Sequence, residues 1–182
     1  MSQFNIAVIV GSIRRDSFNR RFANAVARLA PKEFDFRQVK IGDLPLYCQD
    51  DDANQAESVL RFKAEIEAAQ GLLFVTPEYN RSVPGVLKNA IDHASRPYGK
   101  NVWRGKPAGV MGVSIGTLGT ALAQQHLRNI LSALDVPTMA QPAIYIQVTE
   151  TLFDESGDIA GDTRQFLQKW MDRYIAWIKQ FR

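Results

Sequence analysis

The chain has 182 residues, 46% of them hydrophobic and 23% charged, which is enough apolar material to bury a full core as one domain spanning 1–182. That composition excludes a disordered tail, a collagenous repeat and a disulfide scaffold. One cysteine, Cys48, and two histidines, His93 and His126, provide neither a disulfide nor a Cys/His zinc site. The net charge of +3, from 22 basic and 19 acidic side chains, suits anionic small molecules and is too mild to argue for nucleic acid.

Ile6–Val10 opens the chain as a five-residue apolar run, a strand buried on both faces and too short for a signal sequence. Phe18, Phe22, Ala25, Val26 and Leu29 follow at helical spacing and stop near Pro31. The alternation in 34–39 predicts a half-buried strand, and 42–53 reads as a loop ending in Asp50, Asp51 and Asp52. These aspartates are expected to stand at the start of the next helix, where negative charge is favoured. Val59, Phe62, Ile66 and Ala69 mark that helix, with Gly71 as its stop. Leu72–Val75 is the third strand, broken by Thr76-Pro77, and Pro84 starts a helix carrying Leu87, Ala90, Ile91 and Ala94.

Residues 96–107 read as a polar connection, and 108–113 as the fourth strand. Although 107–127 holds no charge, its four glycines and many polar side chains argue against a membrane span. A cytoplasmic protein is expected. A fourth helix carries Leu122, Leu127, Ile130, Leu131 and Leu134, and 143–146 is a fifth strand. The last helix, about 161–181, is expected to bury Phe166, Trp170, Met171, Tyr174, Ile175, Ile178 and Phe181 as one core-facing stripe.

Strict alternation of strand and helix predicts a doubly wound parallel sheet, an α/β fold with helices on both faces. Such sheets bind ligands beyond the carboxyl ends of their strands, so function should lie in the loops after Val10, Val75 and Val113. In the first loop, 11–19, Ser12, Ser17, Arg14 and Arg15 meet a helix N-terminus, a donor set suited to a terminal phosphate. The dinucleotide and P-loop glycine patterns are absent. The same residues also read as a helix capped by Ser17 with solvated arginines. In the second loop, 76–85, two prolines stiffen a segment offering amides and the flat ring of Tyr79, enough to line a planar heteroaromatic ring. It reads equally as a rigid turn over the sheet end. The third loop, 114–120, brings glycine amides that could stabilise negative charge on such a ring.

Gly11-Ser12-Ile13-Arg14 with Ser17-Phe18-Asn19, the run from Pro77-Glu78-Tyr79-Asn80 through Ser82 to Asp92, and Ser114-Ile115-Gly116 resemble the NAD(P)H-dependent FMN reductase family, in the branch of bacterial quinone and chromate reductases. The resemblance covers about residues 4 to 150. It implies a flavodoxin-like five-stranded sheet of order 2-1-3-4-5 with non-covalent FMN. By the same resemblance Ser12, Arg14, Ser17 and Asn19 hold the phosphate, Pro77, Glu78, Tyr79 and Asn80 flank the flavin ring, and Ser114 and Gly116 lie near it. Phe18 and Ser82 belong to the cofactor-binding set as well. The chemistry implied is ping-pong: NAD(P)H passes a hydride to FMN and leaves, and a quinone, chromate, a nitro or azo compound or free flavin then takes the electrons. A homodimer or homotetramer with no nucleic acid or membrane partner is also implied. The chain departs from the family where His93 replaces a frequent Trp and where Thr117–Thr120 is poorer in glycine.

Arg15 and Arg81 read either as attractors of the anionic co-substrate or as solvated charges. The rival class is a flavodoxin-type electron carrier without its own NAD(P)H activity, but such carriers are generally acidic. A cysteine phosphatase is disfavoured because the acidic run Asp50–Asp52 follows Cys48 closely and no arginine lies nearby downstream to cradle a phosphate. A phospho-receiver domain lacks its acceptor aspartate after the third strand. His126 and Asp92 read as helix-surface residues, not as an acid or a base.

Overall fold

A computed structural model describes residues 4–181. Five strands, β1 (Phe4–Val10), β2 (Phe34–Gln38), β3 (Gly71–Val75), β4 (Ala108–Ser114) and β5 (Tyr145–Gln147), form one sheet of order β2-β1-β3-β4-β5. Every pairing is parallel, with Ile6 opposite Gly71 and Leu72 opposite Ala108. Helices α1 (Phe18–Ala27), α2 (Glu57–Glu67), α3 (Gly85–Ala94), α4 (Ala121–Ala133) and α5 (Gly161–Lys179) alternate with the strands. The fold is flavodoxin-like, as the sequence predicts.

Period-two alternation divides each central strand between two cores. Ile6, Val8, Leu73, Val75, Met111 and Val113 pack with α1 and α5 on one face. Ala7, Ile9, Leu72, Phe74, Ala108 and Val110 pack with α2, α3 and α4 on the other. All of β3 is buried, which is why it is a plain apolar run in sequence. Each fully buried Leu, Ile or Phe contributes about 1.5–3 kcal/mol, so these layers hold the sheet rigid beneath its loops. Among the described residues no helix is long and apolar enough to cross a membrane.

Several elements differ from expectation, each for a local reason. Gly71 does not stop α2, which closes at Ala68; it begins β3, where a Cβ would lie 2.5 Å from Ile178 Cδ1. The tip of Ile178 from α5 packs directly against this bare backbone. Asp50 and Asp51 lie in a short 3-10 turn, Gln49–Asp51, and α2 starts only after Ala56, so the aspartates do not cap it. The connection 96–107 is not simply polar, because Trp103 is fully buried and donates from its indole Nε1 to Ile91 O at 3.0 Å.

The fifth strand starts at Tyr145, since Gln124 Nε2 takes the Ile144 carbonyl at 2.6 Å. On α5 the buried set is Leu167, Trp170, Met171, Tyr174, Ile175 and Ile178. Phe166 is 41% and Phe181 44% exposed, so both fall outside the core stripe expected of them. Leu167 fills the position that the aromatic pattern assigned to Phe166.

Candidate functional site

The three loops expected to carry function leave adjacent strands, and short contacts draw their roots together. The Gly11 amide donates to Val75 O at 2.9 Å, and the Thr76 amide to Met111 O at 3.0 Å. A Cβ on Gly112 would lie 2.0 Å from Thr76 O, and one on Gly11 2.9 Å from Thr76 Oγ1. Glycine at these two positions lets the ends of β1, β3 and β4 converge on one surface.

The first loop turns from β1 into α1. Ser17 is the N-cap, its Oγ accepting from the Arg20 amide at 3.2 Å. That bond uses an oxygen lone pair and leaves the hydroxyl proton free to donate, so capping and phosphate binding are compatible. Ser12 and Ser17 are buried while Arg14, Arg15 and Asp16 are exposed. The Arg14 guanidinium lies 5.6 Å from the Phe18 ring centroid. Asn19 turns inward: Nδ2 donates to Val113 O at 2.8 Å and Oδ1 accepts from the Val113 amide at 3.0 Å. It locks the first loop to the strand that feeds the third.

In the second loop Tyr79 and Ser82 exchange amide-to-carbonyl bonds of 3.0 Å around Asn80 and Arg81. Both central residues have positive φ, 50° and 64°, a two-residue hairpin turn of mirror-image type. Pro77 and Glu78 precede it half-buried, and Tyr79 stands half-exposed at its edge. Glu78 reaches across to α4, where Oε2 accepts from the amides of Leu122 at 3.0 Å and Ala123 at 3.1 Å. Helix α4 needs that partner, because its N-cap position, Thr120, is left-handed (φ 72°) and makes no capping bond. On the next turn His126 Nδ1 lies 3.0 Å from Ser82 Oγ.

The third loop is folded on itself. Ser114 Oγ donates to Gly116 O at 3.0 Å, and the Gly119 amide to the same carbonyl at 3.2 Å. Gly119 (φ 54°) passes so close to β5 that a Cβ would meet Ile146 N at 2.5 Å. The α4 amides are already held by Glu78, so amides for a ligand must come from the loop itself, around Gly116.

Sequence reasoning missed Glu78 as a helix cap, Asn19 as a brace and His126 as a partner of Ser82. No local pattern could have revealed them, since each partner is 44 or 94 residues away. Outside the cluster, His93 is buried with Nε2 2.8 Å from Pro45 O, and Asp92 pairs with Lys88 at 2.8 Å.

A family model described as NADPH-dependent FMN reductase matches residues 4–150. A 2-hydroxy-1,4-benzoquinone reductase from Burkholderia sp is 54% identical over 178 residues, 97% of each chain. A quinone reductase from Pseudomonas putida is 48% identical over 181 residues, 98% of this chain and 97% of the other. Among solved structures, FerB from Paracoccus denitrificans, a flavoenzyme NAD(P)H:(acceptor) oxidoreductase, superimposes with a TM-score of 0.94 at 44% identity, covering 98% of each chain.

Proposed function

The chain belongs to the NADPH-dependent FMN reductase family, and from that premise we propose how its residues serve an NAD(P)H-dependent, FMN-using quinone reductase. The observation that carries the reading is the convergence of three loops on adjacent strand ends, one rich in phosphate donors and one stiffened beside an exposed aromatic ring. The donor set fits the cofactor: two buried hydroxyls, one guanidinium and the first amides of α1, which have no carbonyl behind them, match a phosphate dianion. When bound, FMN supplies the hydride and electron chemistry, so no acid–base triad is needed.

In this reading Ser12, Arg14 and Ser17 hold the phosphate, and Phe18 backs the Arg14 guanidinium. Asn19 supports the cradle from beneath. Pro77, Tyr79 and Asn80 border the ring, kept in place by the bonds of Glu78 and Ser82 to α4. Ser114 and Gly116 face the same space and offer amides to charge developing on the ring. We propose ping-pong turnover, with NAD(P)H leaving before the acceptor enters the same open face. Quinones are the first acceptor to test; chromate, nitro and azo compounds and free flavin form the wider range. One domain, assembled as a homodimer or homotetramer in the cytoplasm, completes the proposal.

Anaerobic titration tests it. The FMN-loaded protein should lose its visible flavin absorbance on adding NADPH or NADH alone and regain it on adding benzoquinone. A flavin that stays oxidised until a second reductase is supplied would identify an electron carrier instead.

A further inference from the structure

We propose that a cleft beside the phosphate loop is a second anion site, which takes the 2′-phosphate of NADPH and so lets the enzyme tell NADPH from NADH. The inference rests on the flavoenzyme reading above. The cleft, of about 540 Å³, opens at the carboxyl ends of β1 and β2, outward from the three loops. Ser12, Ile13, Arg20, Gln38, Lys40 and Gly42 line it. Its floor is well packed, since Val39 and Ile41 are buried. Gly42 passes directly beneath Ile13, where a Cβ would lie 2.9 Å from Ile13 Cγ2. Ile13 itself is 62% exposed and forms an apolar wall next to the cations. An apolar wall beside positive charge is the chemistry of a nucleotide site, with base or ribose against the wall and phosphate on the cations.

The charges around the cleft are unevenly matched. Among the described residues the Arg20 guanidinium reaches only neutral carbonyls, Arg15 O at 3.4 Å and Ser12 O at 3.5 Å. Lys40 pairs with Asp43 at 3.2 Å, but Asp43 also serves Arg61 at 3.1 Å, and Arg61 bonds Glu65 at 3.0 Å. Burial alone would raise the Asp43 pKa; the Lys40 hydrogen bond and the nearby cations outweigh it and hold the carboxyl below its ordinary value. Asp43 is thus a fixed anion between Lys40 and Arg61, Arg61 is in turn shared with Glu65, and among the described residues Arg20 has no carboxylate partner. A single flavin phosphate is already served by Ser12, Arg14, Ser17 and the start of α1. Arg20, on α1, is a cation beyond that need, and Lys40, whose carboxylate partner Asp43 is shared with Arg61, stands just past the end of β2.

A dinucleotide is longer than FMN. In the proposed pose the nicotinamide lies at the ring end of the site and the adenosine end runs past the flavin phosphate into the cleft beside β2. Two phosphates side by side repel each other unless extra cations separate them. NADPH brings a dianion to this place; NADH brings a hydroxyl and gains nothing from Lys40.

The test compares adenosine 2′,5′-bisphosphate with 5′-AMP by calorimetry on the FMN-loaded protein, for the wild type, Lys40→Ala and Lys40→Glu. Wild type should prefer the bisphosphate, and Lys40→Glu should weaken that ligand by about tenfold or more, the loss of a charge-assisted contact, while 5′-AMP changes less than about twofold. The KM for NADPH should rise in parallel and the KM for NADH should not. Lys40 is exposed, so both variants should fold, with Lys40→Ala showing a smaller change of the same sign. Equal affinity of wild type for the two nucleotides, or equal weakening of both by Lys40→Glu, would overturn the proposal. Wild type that fails to bind FMN in a separate titration would overturn the flavoenzyme reading instead.

Discussion

At the scale of single residues, Arg14 and Glu78 illustrate opposite kinds of importance. Arg14 is exposed, its guanidinium resting over the half-buried Phe18 ring, so its truncation should leave the core and the folding intact. Arg14→Ala is expected to weaken FMN binding by about 1–3 kcal/mol, the worth of a charged hydrogen bond, with an unchanged urea midpoint. Glu78 is the reverse. Its carboxylate holds two amides at the start of α4, and Glu78→Ala should cost about 0.5–2 kcal/mol in urea unfolding, as loss of a helix cap does. The proposed phosphate set could be grouped from the sequence because Ser12, Arg14 and Ser17 lie within six residues of chain. The brace from Asn19 to Val113 was not legible there, because 94 residues separate its ends.

At the scale of elements, close approaches decide what periodicity leaves open. The ends of β3 and β4 meet where Gly112 faces Thr76 O, a backbone atom that cannot rotate away. Gly112→Ala is therefore expected to destabilise the fold by at least the roughly 1–3 kcal/mol of an overpacked core, read as a lower unfolding midpoint. Gly109 plays the matching part under α5, where a Cβ would lie 2.9 Å from both Trp170 and Tyr174. Strand and helix order were readable because buried parallel strands are plain apolar runs. Boundaries were not, where a distant side chain intervenes: Gln124 claims the Ile144 carbonyl and moves β5 along. The α5 stripe was misread at both ends because aromatic content outweighed the facing geometry that selects Leu167 over Phe166.

At the scale of the whole molecule, Tyr174 couples α5, the sheet and the pH range of stability. It is fully buried, stacks on Trp170 with ring centroids 5.0 Å apart, and donates to Leu72 O at 2.8 Å. Burial pushes its phenol well above the ordinary 10.0. The folded protein therefore keeps a proton that the unfolded chain releases near pH 10, so this contribution is intact below that pH and lost progressively above it. Tyr174→Phe should flatten the alkaline fall in unfolding free energy above pH 10, and cost about 1 kcal/mol at neutral pH for the missing hydrogen bond, both measurable by urea titration.

The dependence of one core on α5 also bears on how the chain is made. Synthesis runs from β1 onward, and the face of β1, β3 and β4 that carries Ile6, Leu73 and Met111 has no cover from Trp170, Met171, Tyr174 and Ile178 until residues 161–179 have left the ribosome. Until then that face has α1 alone of its two helices, and the apolar surface that α5 will cover is open to chaperones or to neighbouring nascent chains. Among the described elements, α5 follows all five strands and completes the cover of the sheet they form.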